Sequence, residues 1–292
     1  MDPYRSGSAG RLSGGPSAPA IRQILSNAFL LIAALAGISS VALLDAQQPA
    51  APTGTETARA QPAAPAKASH PPQYYVWKKA HDAQLLVDFG GLERFRRADA
   101  MLPAPKPGED RVVFMGDSIT EDWKLEDSFP GKPYINRGIS GQTSPQMLVR
   151  FRQDVIDLKP KVVLILAGTN DIMENTGFMT IEQSGETIAS MADLATANNI
   201  RVVLCSVLPS SEFAWSPALE PAPRIAELNT WIKQYAAEKG YVYVDYYSAM
   251  NDERGGLPPA LSDDGVHPLP AGFAIMAPLA EAGIEKALER GN

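Results

Sequence analysis

Cysteine, histidine and basic charge are all scarce in this chain, and each shortage excludes something. A single cysteine, Cys205, stands among 292 residues. It rules out an intramolecular disulfide and any zinc-ribbon pattern. Within the apolar run Val202-Val203-Leu204-Cys205 it reads as a small buried hydrophobe. Lysine and arginine number 26 against 33 aspartates and glutamates, a formal net charge of -7. That balance repels a polyanion and argues against nucleic acid as a partner. The three histidines are His70, His81 and His267, so an imidazole base working near neutral pH has to be one of them. His70 lies in a Pro/Ala-rich stretch. His81 belongs to the charged helical pattern Lys78-Lys79-Ala80-His81-Asp82, where a solvated ring is the ordinary outcome. His267 is left.

Charge is also missing from residues 28–44, an unbroken apolar run preceded by Arg5, Arg11 and Arg22. A basic leader, an apolar core and then small residues read as an export signal over residues 1–46. The run is short beside the roughly 20 residues of a membrane span, and Leu44-Asp45-Ala46 matches a cleavage site poorly. A signal cleaved on export and a signal anchor that tethers the protein are therefore both open. Secreted, periplasmic and membrane-anchored placements all follow from this segment. Residues 47–72, rich in Ala, Pro and Thr without apolar period, read as a disordered linker. The folded part is expected over residues 73–292. Within it, residues 73–100 have helical spacing (Leu85, Leu86, Phe89, Leu92, Phe95) broken at Gly90-Gly91, which predicts two short helices acting as structural cover.

From Arg111 strand and helix patterns alternate. Strands are predicted at Arg111–Met115, Pro133–Asn136, Val162–Ala167, Arg201–Ser206 and Val242–Asp245. Helices are predicted from Pro145 to about Leu158, Ile181 to Ala197, Pro223 to Lys239 and Pro270 to Leu288. Ser144 before Pro145 looks like a cap, and Thr180-Ile181-Glu182-Gln183 has capping-box spacing. No internal repeat is visible. Such alternation argues for a parallel sheet covered by helices on both faces.

Chemistry-bearing residues gather at the strand ends. Gly116-Asp117-Ser118 follows the run Val112-Val113-Phe114-Met115 and sets a hydroxyl at a strand tip, where open α/β sheets place their ligands. A helix-capping serine is the plain alternative. Asp264 or Asp263 can reach the His267 ring within one turn of chain, leaving the other ring nitrogen free to take the Ser118 proton. Gly138, at a predicted strand exit, allows a backbone N–H to point into a cleft. The Asn170 amide in Gly168-Thr169-Asn170-Asp171 offers another donor, while Asp171 is expected to tie the loop. Asp117, Trp123, Phe213 and Trp215 are candidates for the substrate pocket, the last two within the long loop Ser210 to Pro221. No long apolar groove is evident, which favours short acyl groups.

Four blocks occur in one order: Gly116-Asp117-Ser118-Ile119-Thr120, Asn136-Arg137-Gly138-Ile139-Ser140-Gly141, Gly168-Thr169-Asn170-Asp171 and Asp264-Gly265-Val266-His267-Pro268. Together they resemble the SGNH (GDSL-type) hydrolase superfamily from about Arg111 to Leu288. The form Gly-Asp-Ser-Ile-Thr-Glu-Asp-Trp is similar to the branch of platelet-activating-factor acetylhydrolase catalytic subunits and carbohydrate acetylesterases. The resemblance implies a flavodoxin-like three-layer α/β/α sandwich with a five-stranded parallel sheet. It also implies a catalytic triad of Ser118, Asp264 and His267, and an oxyanion hole from Ser118, Gly138 and Asn170. Neither metal nor cofactor is implied. The expected activity is serine ester hydrolysis of short-acyl or acetyl esters, on small molecules or glycans. Two other readings stay open: an acyltransferase acting on a cell-surface glycan, and a non-catalytic flavodoxin-like binding module.

Overall fold

The computed structural model describes residues 71–217 and 219–289. The export segment, the linker up to residue 70 and His70 lie outside the described residues. Two helices come first, α1 (Pro72–Val87) and α2 (Glu93–Met101). Next are β1 (Val112–Gly116), the short α3 (Ser118–Glu121) and α4 (Leu125–Ser128), β2 (Tyr134–Gly138) and α5 (Ser144–Asp154). The chain continues through β3 (Val162–Leu166), the short α6 (Thr169–Ile172), α7 (Ile181–Ala197), β4 (Arg201–Cys205) and α8 (Pro221–Lys239). It ends with β5 (Val242–Val244), the short α9 (Tyr246–Met250) and α10 (Pro270–Glu289). Among the described residues, no helix is long and apolar enough to cross a membrane.

The five strands are all parallel and lie in the order β2-β1-β3-β4-β5. This is the flavodoxin-like doubly wound arrangement. Each predicted strand is present, with ends shifted by at most two residues. Helices cover both faces, so successive strand residues serve two cores. Val113, Met115, Val163, Ile165, Val202 and Leu204 pack with Phe151 of α5, Ile188 of α7 and Leu228 of α8. Phe114, Leu164, Leu166, Val203 and Cys205 point the other way, towards Met276 and Ile284 of α10. Burial on both sides explains why these strands read as continuous apolar runs rather than alternating ones.

Caps fix where the helices begin. Thr180 accepts from Gln183 N at 3.2 Å while the Gln183 side chain accepts from Thr180 N at 2.9 Å, the expected capping box. At α5 the expected cap moves by one position. Thr143 is the N-cap, with Gln146 Oε1 accepting from its N–H at 3.0 Å. Ser144 is instead the first helical residue, and its hydroxyl donates to Asp171. That helix also stops at Asp154, and a single 3₁₀ turn (Ile156–Leu158) follows it.

Because β1 pairs with β2 on one side and β3 on the other, the connection after β1 runs one way across the sheet and the one into β3 returns the other way, so the winding order reverses between β1 and β3. Their carboxyl ends open a crevice at this switch point. Ser118 leaves β1 there, and Thr169-Asn170 leave β3 beside it.

Candidate active site

A cleft of about 240 Å³ opens at the carboxyl edge of the sheet, with Ser118, Gly141, Asn170 and His267 in its wall. Ser118 is the first residue of α3, set there because Asp117 caps the helix by accepting from Ile119 N at 3.0 Å. Its backbone N–H is one of the unpaired donors of a helix start. The Ser118 hydroxyl lies 2.9 Å from His267 Nε2. On the other side of the ring, His267 Nδ1 lies 2.6 Å from Asp264 Oδ2. Asp264 Oδ1 accepts from His267 N at 2.8 Å, Val266 N at 2.9 Å and Ser262 Oγ at 3.1 Å. Asp263 is exposed, and Asp264 is the partner of the ring.

Electrostatics follow from these contacts. Partial burial works to raise the Asp264 carboxyl, but donation from the His267 ring and two backbone N–H groups outweighs it and holds the group well below the usual carboxylate range. The Asp264 hydrogen bond raises the His267 ring above its ordinary value, against the opposing effect of burial. With the Nδ1 proton donated to Asp264, Nε2 is left as acceptor for the serine hydroxyl.

The expected pocket and oxyanion residues are only partly where they were anticipated. Gly138 does not face the cleft: its N–H donates to Asn136 Oδ1 at 2.8 Å. Its α-carbon presses on α3 so closely that a Cβ would come within 2.1 Å of Glu121 N. Gly138 is a packing glycine. The glycine that lines the cleft beside Ser118 is Gly141, three residues on, at a positive φ of 78° that favours glycine. Its N–H has no hydrogen-bond partner among the described residues.

Asn170 does line the cleft, but both of its amide hydrogens are engaged. It donates to Asp117 Oδ2 at 3.1 Å and to Gln142 O at 3.0 Å, while its Oδ1 accepts from Asn175 Nδ2 at 2.8 Å. Asn175 also donates to Gly141 O at 3.0 Å, so one buried amide locks both loops. Asp171 ties the same loop to α5 by accepting from Ser144 N at 2.9 Å.

Of the pocket candidates, Trp215 lines the cleft, stacked 6.1 Å from the His267 ring. Phe213 is fully buried in the core behind it. Trp123 is likewise core, packed edge-on against Phe114 and close to Phe129. Asp117 sits behind the serine, buried, where desolvation pushes its carboxyl up to about 7.

Several contributors escaped the sequence reading, Asn175 and Met173 among them. Gly141 was within reach as the second glycine of its block. Tyr74 and Trp77 were not, because nothing in a helical pattern tells where the helix docks. Both belong to α1 and line the cleft, so α1 is more than structural cover. His81 is not a solvated ring either. Its side chain is only 13% exposed and it stacks on Trp77 at 4.7 Å.

Known proteins match this chain in sequence and in fold. The model of the GDSL-like lipase/acylhydrolase family matches residues 114–275. An acetylxylan esterase of Geobacillus stearothermophilus is 28% identical over 212 residues, which is 60% of this chain and 95% of that protein. Another, from Xylanibacter ruminicola, is 27% identical over 249 residues, 72% of this chain and 49% of that protein. The crystal structure of a GDSL-like lipase from Bacteroides thetaiotaomicron is 46% identical, with a TM-score of 0.66, and covers 68% of this chain and 99% of its own. Fold and match define the class, a serine-type carboxylic ester hydrolase. Within that class, the chain belongs to the GDSL-like lipase/acylhydrolase family.

Proposed function

We propose that this chain is an esterase of short acyl esters, foremost acetyl esters on carbohydrate, working through an acyl-enzyme on Ser118. The observation that carries the reading is the 2.9 Å approach of the Ser118 hydroxyl to His267 Nε2 in the wall of a small cleft. Ser118 Oγ attacks the ester carbonyl as His267 Nε2 takes its proton. Asp264 keeps the ring in the right tautomer and stabilises the imidazolium. The oxyanion meets the backbone N–H groups of Ser118 and Gly141, and Asn170 adds a donor by releasing one of its present acceptors. Collapse breaks the ester C–O bond, and His267 returns the proton to the departing alcohol. Water then loses a proton to His267 and attacks the acyl-serine, freeing the acid and restoring the hydroxyl.

The small cleft supports short acyl groups, and the acetylxylan esterase relatives support a sugar ester. The apolar run at residues 28–44 supports a place outside the cytoplasm, by release or by a membrane tether. In Ser118→Ala, turnover of p-nitrophenyl acetate is expected to fall on the order of 10⁴-fold or more, and a fluorophosphonate should label only the wild-type protein. An alanine variant that still cleaves the ester at close to the wild-type rate ends this reading.

A further inference from the structure

One wall of the cleft comes from outside the region that matches the family. Residues 114–275 carry that match, whereas Tyr74 and Trp77 precede it on α1. This helix is an odd one to keep for stability alone. Buried apolar side chains carry most of a helix's stabilisation, yet α1 buries none. Its carboxyl end is fastened by polar contacts: Gln146 Nε2 donates to Phe89 O at 2.8 Å and Gln142 Nε2 to Gly90 O at 2.9 Å.

Trp77 lies across the Gly141 turn, where a Cβ on Gly141 would come within 3.3 Å of Trp77 Cζ2. His81 stacks on the indole at 19° between planes, and burial pushes that imidazole below its ordinary value, so it is a neutral support at neutral pH. The Trp77 residue remains 38% exposed. Trp215 provides a second aromatic surface in the same cleft, stacked over His267.

We propose that Trp77, with Tyr74, is a stacking platform for the sugar ring that bears the ester, which makes α1 a specificity-determining element. The proposal rests on the esterase reading above. The cleft, at about 240 Å³, is below the usual 300–1,000 Å³ of a pocket that swallows a drug-sized ligand. It holds a short acyl group near Ser118, and the bulk of the alcohol part has to rest on the rim. A sugar ring offers there a face of C–H bonds, slightly positive, to the negative face of an indole. Its hydroxyls stay in water or meet the exposed Ser140 at the same rim. A long lipid chain needs instead a continuous dry channel, and the half-exposed Trp77 does not provide one.

The test compares kcat/KM of the full chain on acetylated xylo-oligosaccharides with kcat/KM on p-nitrophenyl acetate. Trp77→Ala is expected to lower the sugar-to-nitrophenyl ratio at least fivefold, mainly through KM on the sugar ester, and Trp77→Phe to bring it back above that threshold. A smaller change in Trp77→Ala overturns the platform, as does failure of Trp77→Phe to rescue the ratio. Loss falling on p-nitrophenyl octanoate instead of the sugar ester also overturns it and makes α1 an acyl-binding wall. The two readings fail separately. If wild type cleaves p-nitrophenyl acetate through Ser118 but ignores the sugar esters, the platform and the carbohydrate preference fall while the Ser118 esterase reading stands. If it cleaves no ester, the esterase reading falls as well.

Discussion

Asp264 shows how much of the candidate site depends on single atoms. Its two oxygens accept four hydrogen bonds, and only one of them comes from the His267 ring. In Asp264→Asn one oxygen becomes a donor, and the ring loses the contact that raises its pKa. His267 has to be neutral to accept the serine proton, so the acid limb of kcat/KM against pH is expected above the ordinary 6.5 of a histidine. In the asparagine variant that limb should move to lower pH while kcat falls about 10²–10⁴-fold. A limb that stays in place would detach Asp264 from the titrating base. At this scale Ser118 and His267 were legible because a strand-end serine and a scarcity of histidine leave few choices. Trp123 and Phe213 were not. An aromatic residue near a catalytic block has the same composition whether it faces the cleft or the core.

Among the elements, the pairing of β2 with α3 carries the clearest constraint. Gly138 ends β2 where the Thr120–Glu121 backbone crosses it, with no room for a methyl group. Gly138→Ala is therefore expected to cost about 2–3 kcal/mol of stability, or to prevent folding, seen as a lowered urea midpoint. The folded fraction, counted by fluorophosphonate titration, should keep kcat within about threefold. A large loss of kcat at unchanged stability would return Gly138 to the oxyanion hole in place of Gly141. Strands and helices were readable because apolar runs, glycine stops and the Thr180 capping box act over a few residues. The start of α5 was off by one because Ser144 has a distant partner, Asp171, that no local pattern contains. The same limit hid α1, whose periodicity announces a helix but not the loop it leans on.

Across the whole molecule, opposing titrations set the pH of greatest stability. Asp264 is held below the ordinary carboxylate range, so its contribution is complete above about pH 4 and is lost as pH falls further. Burial raises Asp117 to about 7 and raises Asp171, so both cost stability as pH climbs from about 4. His267, raised, contributes fully below 6.5 and loses that contribution as pH rises through its folded value. The Tm is accordingly expected to peak near pH 4–5 and to decline towards neutrality. A Tm that climbs steadily to pH 8 in thermal scans would contradict this balance. By itself the chain's order of residues determined the alternation of strand and helix, the parallel sheet, and which serine and histidine stand at its edge, because those depend on spacing along the backbone and on which residues tolerate burial. Only the tertiary structure decided which glycine lines the cleft, which aromatics reach it, and that a helix outside the family region walls it. Those outcomes depend on distances between segments far apart in the chain, and such distances exist only once the elements have packed.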